Sequence, residues 1–220
     1  MIKLNQNYWT PVKLSLQISS VAVLIVLIIG IAAAIFMTQK NFRGKIVLET
    51  IMLLPLVLPP TVVGFILIMV FGVQSPVGQF FEALFGQSIM FTWWAALIAA
   101  IVVSFPLMYQ SAKTGIQSVD RDIEEAARID GANNIKVLLA ITLPLSIKSI
   151  VSGFILAFAR ALGEFGATFM FAGNLPGKTQ TIPIAVYVAL ESGKVELAWL
   201  FVITIIIISF FMLILTTIIK

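Results

Sequence analysis

Residues Leu14–Met37 read LSLQISSVAVLIVLIIGIAAAIFM, without a single charged side chain. Beyond Ser20 every residue is apolar or glycine. A helix needs about 20 such residues to cross the hydrocarbon core of a bilayer. Wound as a helix, this segment is apolar on every face, whereas a soluble surface helix keeps one apolar stripe and one polar face. The same signature returns at Leu48–Phe71, Trp93–Ala112, Lys148–Phe171 and Val195–Ile219. The whole chain agrees: 60% of its 220 residues are hydrophobic and 11% are charged, with a mean hydropathy of +1.08. An average soluble domain carries about 25% charged residues. The composition therefore excludes an ordinary soluble globule, a disordered chain and a coiled coil. It predicts an all-α, polytopic transmembrane bundle of about five spans, with residues 1–220 forming one domain.

The first span is too long for a signal-peptide core, and no small-residue cleavage site follows it. Ahead of it, Met1–Lys13 is expected as a short interfacial helix, with Tyr8 and Trp9 anchoring it among headgroups. Gly78–Phe85 is expected as another. Thr181–Ser192 has helical apolar spacing but is too short to span, which suits a re-entrant or surface helix. The sequence contains neither Cys nor His. That removes disulfides, thiolate metal sites and the commonest general base.

Orientation follows from the basic residues. The loops after spans one and three, with the C-terminus, carry Lys40, Arg43, Lys45, Lys113, Arg121, Arg128, Lys136, Lys148 and Lys220. The other side carries only Lys3, Lys13, Lys178 and Lys194. Positive charge accumulates on the cytoplasmic side, so the N-terminus is expected outside and the C-terminus inside, in a multi-pass plasma membrane protein. Trp9, Trp93, Trp94 and Trp199 all fall at outer span ends. The basic residues form no nucleic-acid tract, and no nucleic-acid partner is expected.

The longest loop, Lys113–Ile147, is also the most charged. Asp120 is placed to cap a helix, and Asp122, Glu124 and Glu125 suit its positive end. Ile123, Ala126, Ala127 and Asp130 would share one face, and Gly131 is a natural C-terminal stop. A second short helix, about Asn133–Ile141, would precede Pro144. By composition alone this is a solvated connector or a small helix flat on the cytoplasmic surface.

The spacing is more specific. Glu125-Ala126-Ala127, three residues, Gly131, nine residues, then Ile141, one residue, Leu143-Pro144 resembles the EAA loop of ABC importer permeases at every fixed position. PLVLPPTVVG (Pro55–Gly64) and ARALGEFGAT (Ala159–Thr168) resemble the molybdate/sulfate branch of that family. NLPGKTQTIP (Asn174–Pro183) is closer to its molybdate permeases than to its sulfate permeases. The resemblance implies the type I ABC importer permease fold. It makes the loop a coupling helix that sits on a cytoplasmic ATPase through Glu125, Ala126, Ala127 and Gly131, with Glu124, Asp130, Ile141, Leu143 and Pro144 in the same element. It further implies a homodimer, cytoplasmic ABC ATPase subunits and an extracytoplasmic molybdate-binding protein. ATP and Mg would be bound by the ATPase, leaving this chain without a cofactor or an ATPase site. The substrate implied is molybdate, with tungstate as a companion.

Within the spans, Arg160 and Glu164 lie four residues apart and can pair along a helix face. Charges at that depth face a bundle interior or a wet cavity. They fit a translocation path, and equally a neutralised pair that locks helix packing. Pro55, Pro59, Pro60 and Gly64 predict a kink in span two, because each proline frees a backbone carbonyl and irregular backbone in a membrane must face protein or a cavity. Thr61, Ser104 and Thr168 complete the pathway or gate candidates. GNLPGKT (Gly173–Thr179) is a decoy for a phosphate loop: three residues separate its glycines where four are needed, and no strand precedes it. Three rivals remain. They are a sulfate permease, an ion-coupled secondary transporter using a free intramembrane carboxylate, and a membrane-embedded enzyme.

Overall fold

The computed structural model describes residues 6–219, with side chains from Tyr8 to Ile218. Met1–Asn5, with Lys3, and Lys220 lie outside the described residues. All regular structure among the described residues is helical. Helix α1 (Gln6–Gln39) is followed by α2 (Lys45–Val57), α3 (Pro60–Phe71), α4 (Pro76–Phe85) and α5 (Trp93–Gln117). The long loop then carries α6 (Arg121–Ile129), α7 (Asn134–Val137), a π-helical turn (Leu138–Thr142) and α8 (Leu143–Leu145). Helices α9 (Ile147–Leu162), α10 (Gly166–Ala172), α11 (Ile182–Glu191) and α12 (Val195–Ile219) complete the chain. Among the described residues, three helices are long and apolar enough to cross a membrane alone, and five segments are if each bent helix pair is one span.

Helix α5 is the axis. It packs along α1 on one side and α9 on the other. Ala95, Ala96, Ala99 and Ala100 line its first half with Leu14, Ile18 and Ala22 of α1. In its second half, Met108, Tyr109 and Ala112 pack with Val23, Val26 and Ala34 of α1 and with Ile150, Ala157 and Phe158 of α9. Small side chains let these helices approach closely, which is how membrane helices gain dispersion energy without a hydrophobic drive. Gly30 shows the closeness, since a Cβ there would stand 2.8 Å from Met108 Cγ. Helix α12 lies outside this body. Ile206, Phe210, Phe211 and Ile218 are exposed along it, as suits a lipid-facing helix.

Several sequence expectations shift. The N-terminal segment is no separate interfacial helix: from Gln6 it is continuous with span one, and Pro11 sits inside the helix. Tyr8 stacks on Phe201 at 5.3 Å and shares a hydrogen bond with Thr204 Oγ1 of α12 at 2.5 Å. Tyr8 therefore staples α1 to α12. Span two is more than kinked: α2 and α3 meet at 120°. Leu58 and Pro59 both have extended backbone, with ψ of 141° and 137°. A residue before proline is pushed out of the helical region, and two successive prolines impose this twice. Span four is likewise interrupted, ending α9 at Leu162 and restarting α10 at Gly166. Span three runs on to Gln117, past the expected Ala112.

The second loop helix does not stop before Pro144. Asn133 caps it by accepting from the Lys136 amide at 2.8 Å, and helical backbone continues through Pro144 to Leu145. Proline cannot donate to a preceding carbonyl, and the π turn immediately before it absorbs the misfit. Helix α4 begins two residues before the expected Gly78, at Pro76, capped by Ser75. Helix α11 matches its expected place, packing on α12 and α1.

Candidate functional site

Helix α6 is built by its ends. Asp120 Oδ1 accepts from the Asp122 amide at 2.9 Å. At the other end Gly131 adopts φ +90°, and the Ala132 amide reaches back to the Ala127 carbonyl at 2.9 Å. This closing turn needs a left-handed residue, which glycine supplies without a Cβ clash.

At 100° per residue, Arg121, Glu124, Glu125 and Arg128 share one face. They line an open cleft of about 710 Å³ whose opposite wall is Thr38, Gln39 and Lys40 from the end of α1 and Ile116 and Gln117 from the end of α5. Away from the cleft the helix presents Ile123, Ala126 and Asp130, with Asp122 and Ile129 along the edge, all exposed. Ile129 is 86% exposed and Ile123 48%. No residue of α6 is buried. The face away from the cleft is thus mixed, with two exposed isoleucines and an alanine between Asp122 and Asp130. Ala127 lies between the faces. Of the other coupling candidates, Ile141 and Leu143 are half-buried and Pro144 is exposed.

Within the membrane body the two helix breaks come together. A Cβ on Gly166 would lie 2.8 Å from Pro60 Cβ and 3.3 Å from the Thr61 amide nitrogen. A Cβ on Gly64 would lie 2.7 Å from Met170 Cβ and 3.1 Å from Ala167 Cα. Thus Pro60, Thr61 and Gly64 abut the restart of span four. Glu164 holds that restart. Its Oε2 accepts from Arg160 Nη1 at 2.6 Å, and its Oε1 accepts from the Ala167 amide at 2.7 Å. The carboxylate thereby neutralises Arg160 and also caps α10, whose preceding residue, Phe165, provides no side-chain cap. Glu164 is 2% exposed and Arg160 28%. Burying a carboxylate is tolerable when both oxygens are paired.

Ser104 is fully buried in α5, its hydroxyl donating to the Ala100 carbonyl at 2.6 Å. Thr168 is buried inside α10. Pro55 sits within the last turn of α2, just before the break at Leu58.

One constellation escapes the sequence reading. Glu49 of α2 pairs with Lys113 at the end of α5 and accepts from Tyr109 Oη at 3.0 Å. Tyr109 is fully buried. The signal was available: Glu49 is the lone acid in the apolar stretch 48–71, and Tyr109 and Lys113 are spaced to share a helix face. The contact fixes where α2 starts. From there the α2–α3 pair travels to the opposite end of α5, where Phe71 packs on Phe171 at 5.8 Å and the Phe171 carbonyl accepts from the Phe91 amide.

This arrangement has close relatives. The family model described as "Binding-protein-dependent transport system inner membrane component" matches residues 17–220. The putative molybdenum transport system permease protein YvgM of Bacillus subtilis is 57% identical over 94% of this chain and 91% of its own. The molybdenum transport system permease protein ModB of Escherichia coli is 45% identical over 84% of this chain and 80% of its own. In three dimensions the chain superimposes on a bacterial ABC transporter that imports alginate, with a TM-score of 0.73 at 15% identity, over 97% of this chain and 78% of that one. At that identity the likeness speaks to fold, and the fold is that of an ABC importer transmembrane subunit. An all-helical body of broken spans with the exposed, capped loop helix α6 thus belongs, with the sequence that forms it, to the binding-protein-dependent transport system inner membrane components, the multi-pass permeases of ABC importers.

Proposed function

We propose that this chain is the permease of a molybdate importer, with tungstate as an alternative cargo. The observation that carries the cargo is the 57% identity, over nearly the full length of both chains, to a protein named for molybdenum transport. Residues 1–220 act as one permease domain and supply half of a translocation path, completed by a second copy. The exposed outer face of α6, with Ile123, Ala126 and Ile129, receives a cytoplasmic ABC ATPase, which holds the ATP and Mg. An extracytoplasmic binding protein delivers the oxyanion to the opposite side. The excess of basic residues around α6 supports placing it, with the C-terminus, in the cytoplasm and the N-terminus outside.

The mechanism is alternating access. ATP closes the paired ATPases, the two α6 helices approach, and the helix bodies rock so that the path opens outward. Hydrolysis reverses the movement. The chain makes and breaks no covalent bond. The double pairing of Glu164 disfavours a secondary transporter, which needs a carboxylate free to take up its coupling ion.

Uptake tests this reading. Cells lacking their own molybdate import should regain it when given this chain with its ATPase and binding protein. Excess tungstate should compete and sulfate should not. Equal competition by sulfate would make this a sulfate permease. Uptake that persists without the ATPase and collapses with the proton gradient would make it a secondary transporter.

A further inference from the structure

Helix α6 touches the rest of the chain through a narrow connection. One face borders the open cleft and the other is exposed. Its packing partners are α7 and the π turn. Across that contact, Thr142 Oγ1 donates to Glu124 Oε1 at 2.5 Å. Glu124 Oε2 is held by Arg128 Nη2 at 3.3 Å, which orients the carboxylate along α6. Thr142 is 4% exposed and ends the π turn. Its carbonyl accepts from Ser146 Oγ at 2.6 Å. Ser146 stands where the helical stretch Asn134–Leu145 bends by 66° into Ile147–Leu162, and that second helix carries Arg160. An unbroken set of hydrogen bonds therefore runs from α6 through Glu124, Thr142 and Ser146 to the hinge of a membrane helix.

We propose that the Thr142–Glu124 hydrogen bond is the strut that carries movement of α6 into α9. Thr142 and Glu124 are then positioning residues that couple ATP turnover to opening of the path. A π turn is the natural place for such a joint. Its extra residue per turn leaves the backbone able to change register, and the Thr142 hydroxyl has a second acceptor in reach, the Val137 carbonyl at 3.4 Å. With Glu124 engaged, the hydroxyl ties the turn to α6. With Glu124 withdrawn, it folds back on its own helix. A push on α6 reaches α9 only in the first arrangement.

This inference rests on α6 being the ATPase-docking helix, and its test separates the two claims. The complete complex is reconstituted in proteoliposomes with Thr142→Val, Thr142→Ser and Glu124→Ala chains. Copurification of the ATPase, ATP hydrolysis and molybdate transported per ATP are each measured. The Val variant should retain the ATPase and hydrolyse ATP, yet move about tenfold less molybdate per ATP, the factor expected when one charge-assisted hydrogen bond biasing a two-state element is lost. The Ser variant keeps the hydroxyl and should restore the ratio. Thr142→Val combined with Glu124→Ala should be no worse than the poorer single variant. A Val variant with the wild-type ratio would overturn the strut, as would one that loses the ATPase, because Thr142 would then shape the docking surface. Failure of the unmodified chain to copurify any ATPase would instead overturn the docking role of α6.

Discussion

Replacing Ile129 with Asp is expected to abolish copurification of the ATPase, and oxyanion uptake with it, while leaving the amount of permease in the membrane unchanged. Ile129 is 86% exposed, and an interface that covers it gains about 1.5–3 kcal/mol for the side chain. Aspartate forfeits that gain and adds a carboxylate desolvated without a partner, which costs about as much again or more. Together these exceed what a transient interface can absorb. Ala126→Asp, on the same face, should act alike. Neither change touches a span, and α6 has no buried residue whose loss would unfold the bundle. Immunoblots of membrane fractions and pull-down of the ATPase measure the two quantities separately. Undiminished pull-down with both variants would remove the docking role from this face.

A second large effect is expected at the intramembrane pair. Arg160→Ala strips Glu164 of its charge partner and leaves a nearly buried carboxylate with only the Ala167 amide to hold it. Breaking a buried pair from one side costs about 3–5 kcal/mol. The double variant Arg160→Ala with Glu164→Ala should be less damaging, because no uncompensated charge remains. What it still lacks is the cap on α10, worth about 1 kcal/mol. Thermal unfolding of the purified chain in detergent, run as a double-mutant cycle, gives the comparison. A double variant at the sum of the two single effects would show that the residues do not support each other. Because the junction at Glu164 meets Pro60 and Gly64, the same substitution should impair transport even in folded protein.

The spans were legible because lipid demands one property, sustained apolarity, and the sequence displays it without ambiguity. The capped ends of α6 were legible for a similar reason, since Asp120 and Gly131 act on backbone within a few residues of themselves. The breaks were harder. Pro11 and Pro106 stay inside continuous helices, whereas Pro59 and Pro60 end one. The difference lies in the doubled proline and in the glycine-rich restart of span four that receives it, and only the first is visible in the local sequence. Glu164 was legible as the partner of Arg160 but not as the cap of α10, which needed the break itself to be known. The contacts Glu49–Lys113 and Glu124–Thr142 join residues 64 and 18 positions apart, and no periodicity reaches that far.

The polar features share one design. In a chain this apolar, each buried or half-buried charge sits at a point where a helix begins, ends or bends. Glu49 fixes the start of α2, Glu124 the π turn, and Glu164 the restart of span four. Apolar packing holds the helices together, and these few pairs set where they can hinge. That suits the alternating-access movement proposed for this chain.

The measurement that bears most directly on this account is ATP hydrolysis by the reconstituted complex of this chain, its ATPase and its binding protein. The binding protein is loaded with molybdate, tungstate or sulfate in separate reactions. The account predicts stimulation by the molybdate- and tungstate-loaded forms and none by sulfate. No stimulation by any loaded form, or no ATPase associating with the chain, would contradict it.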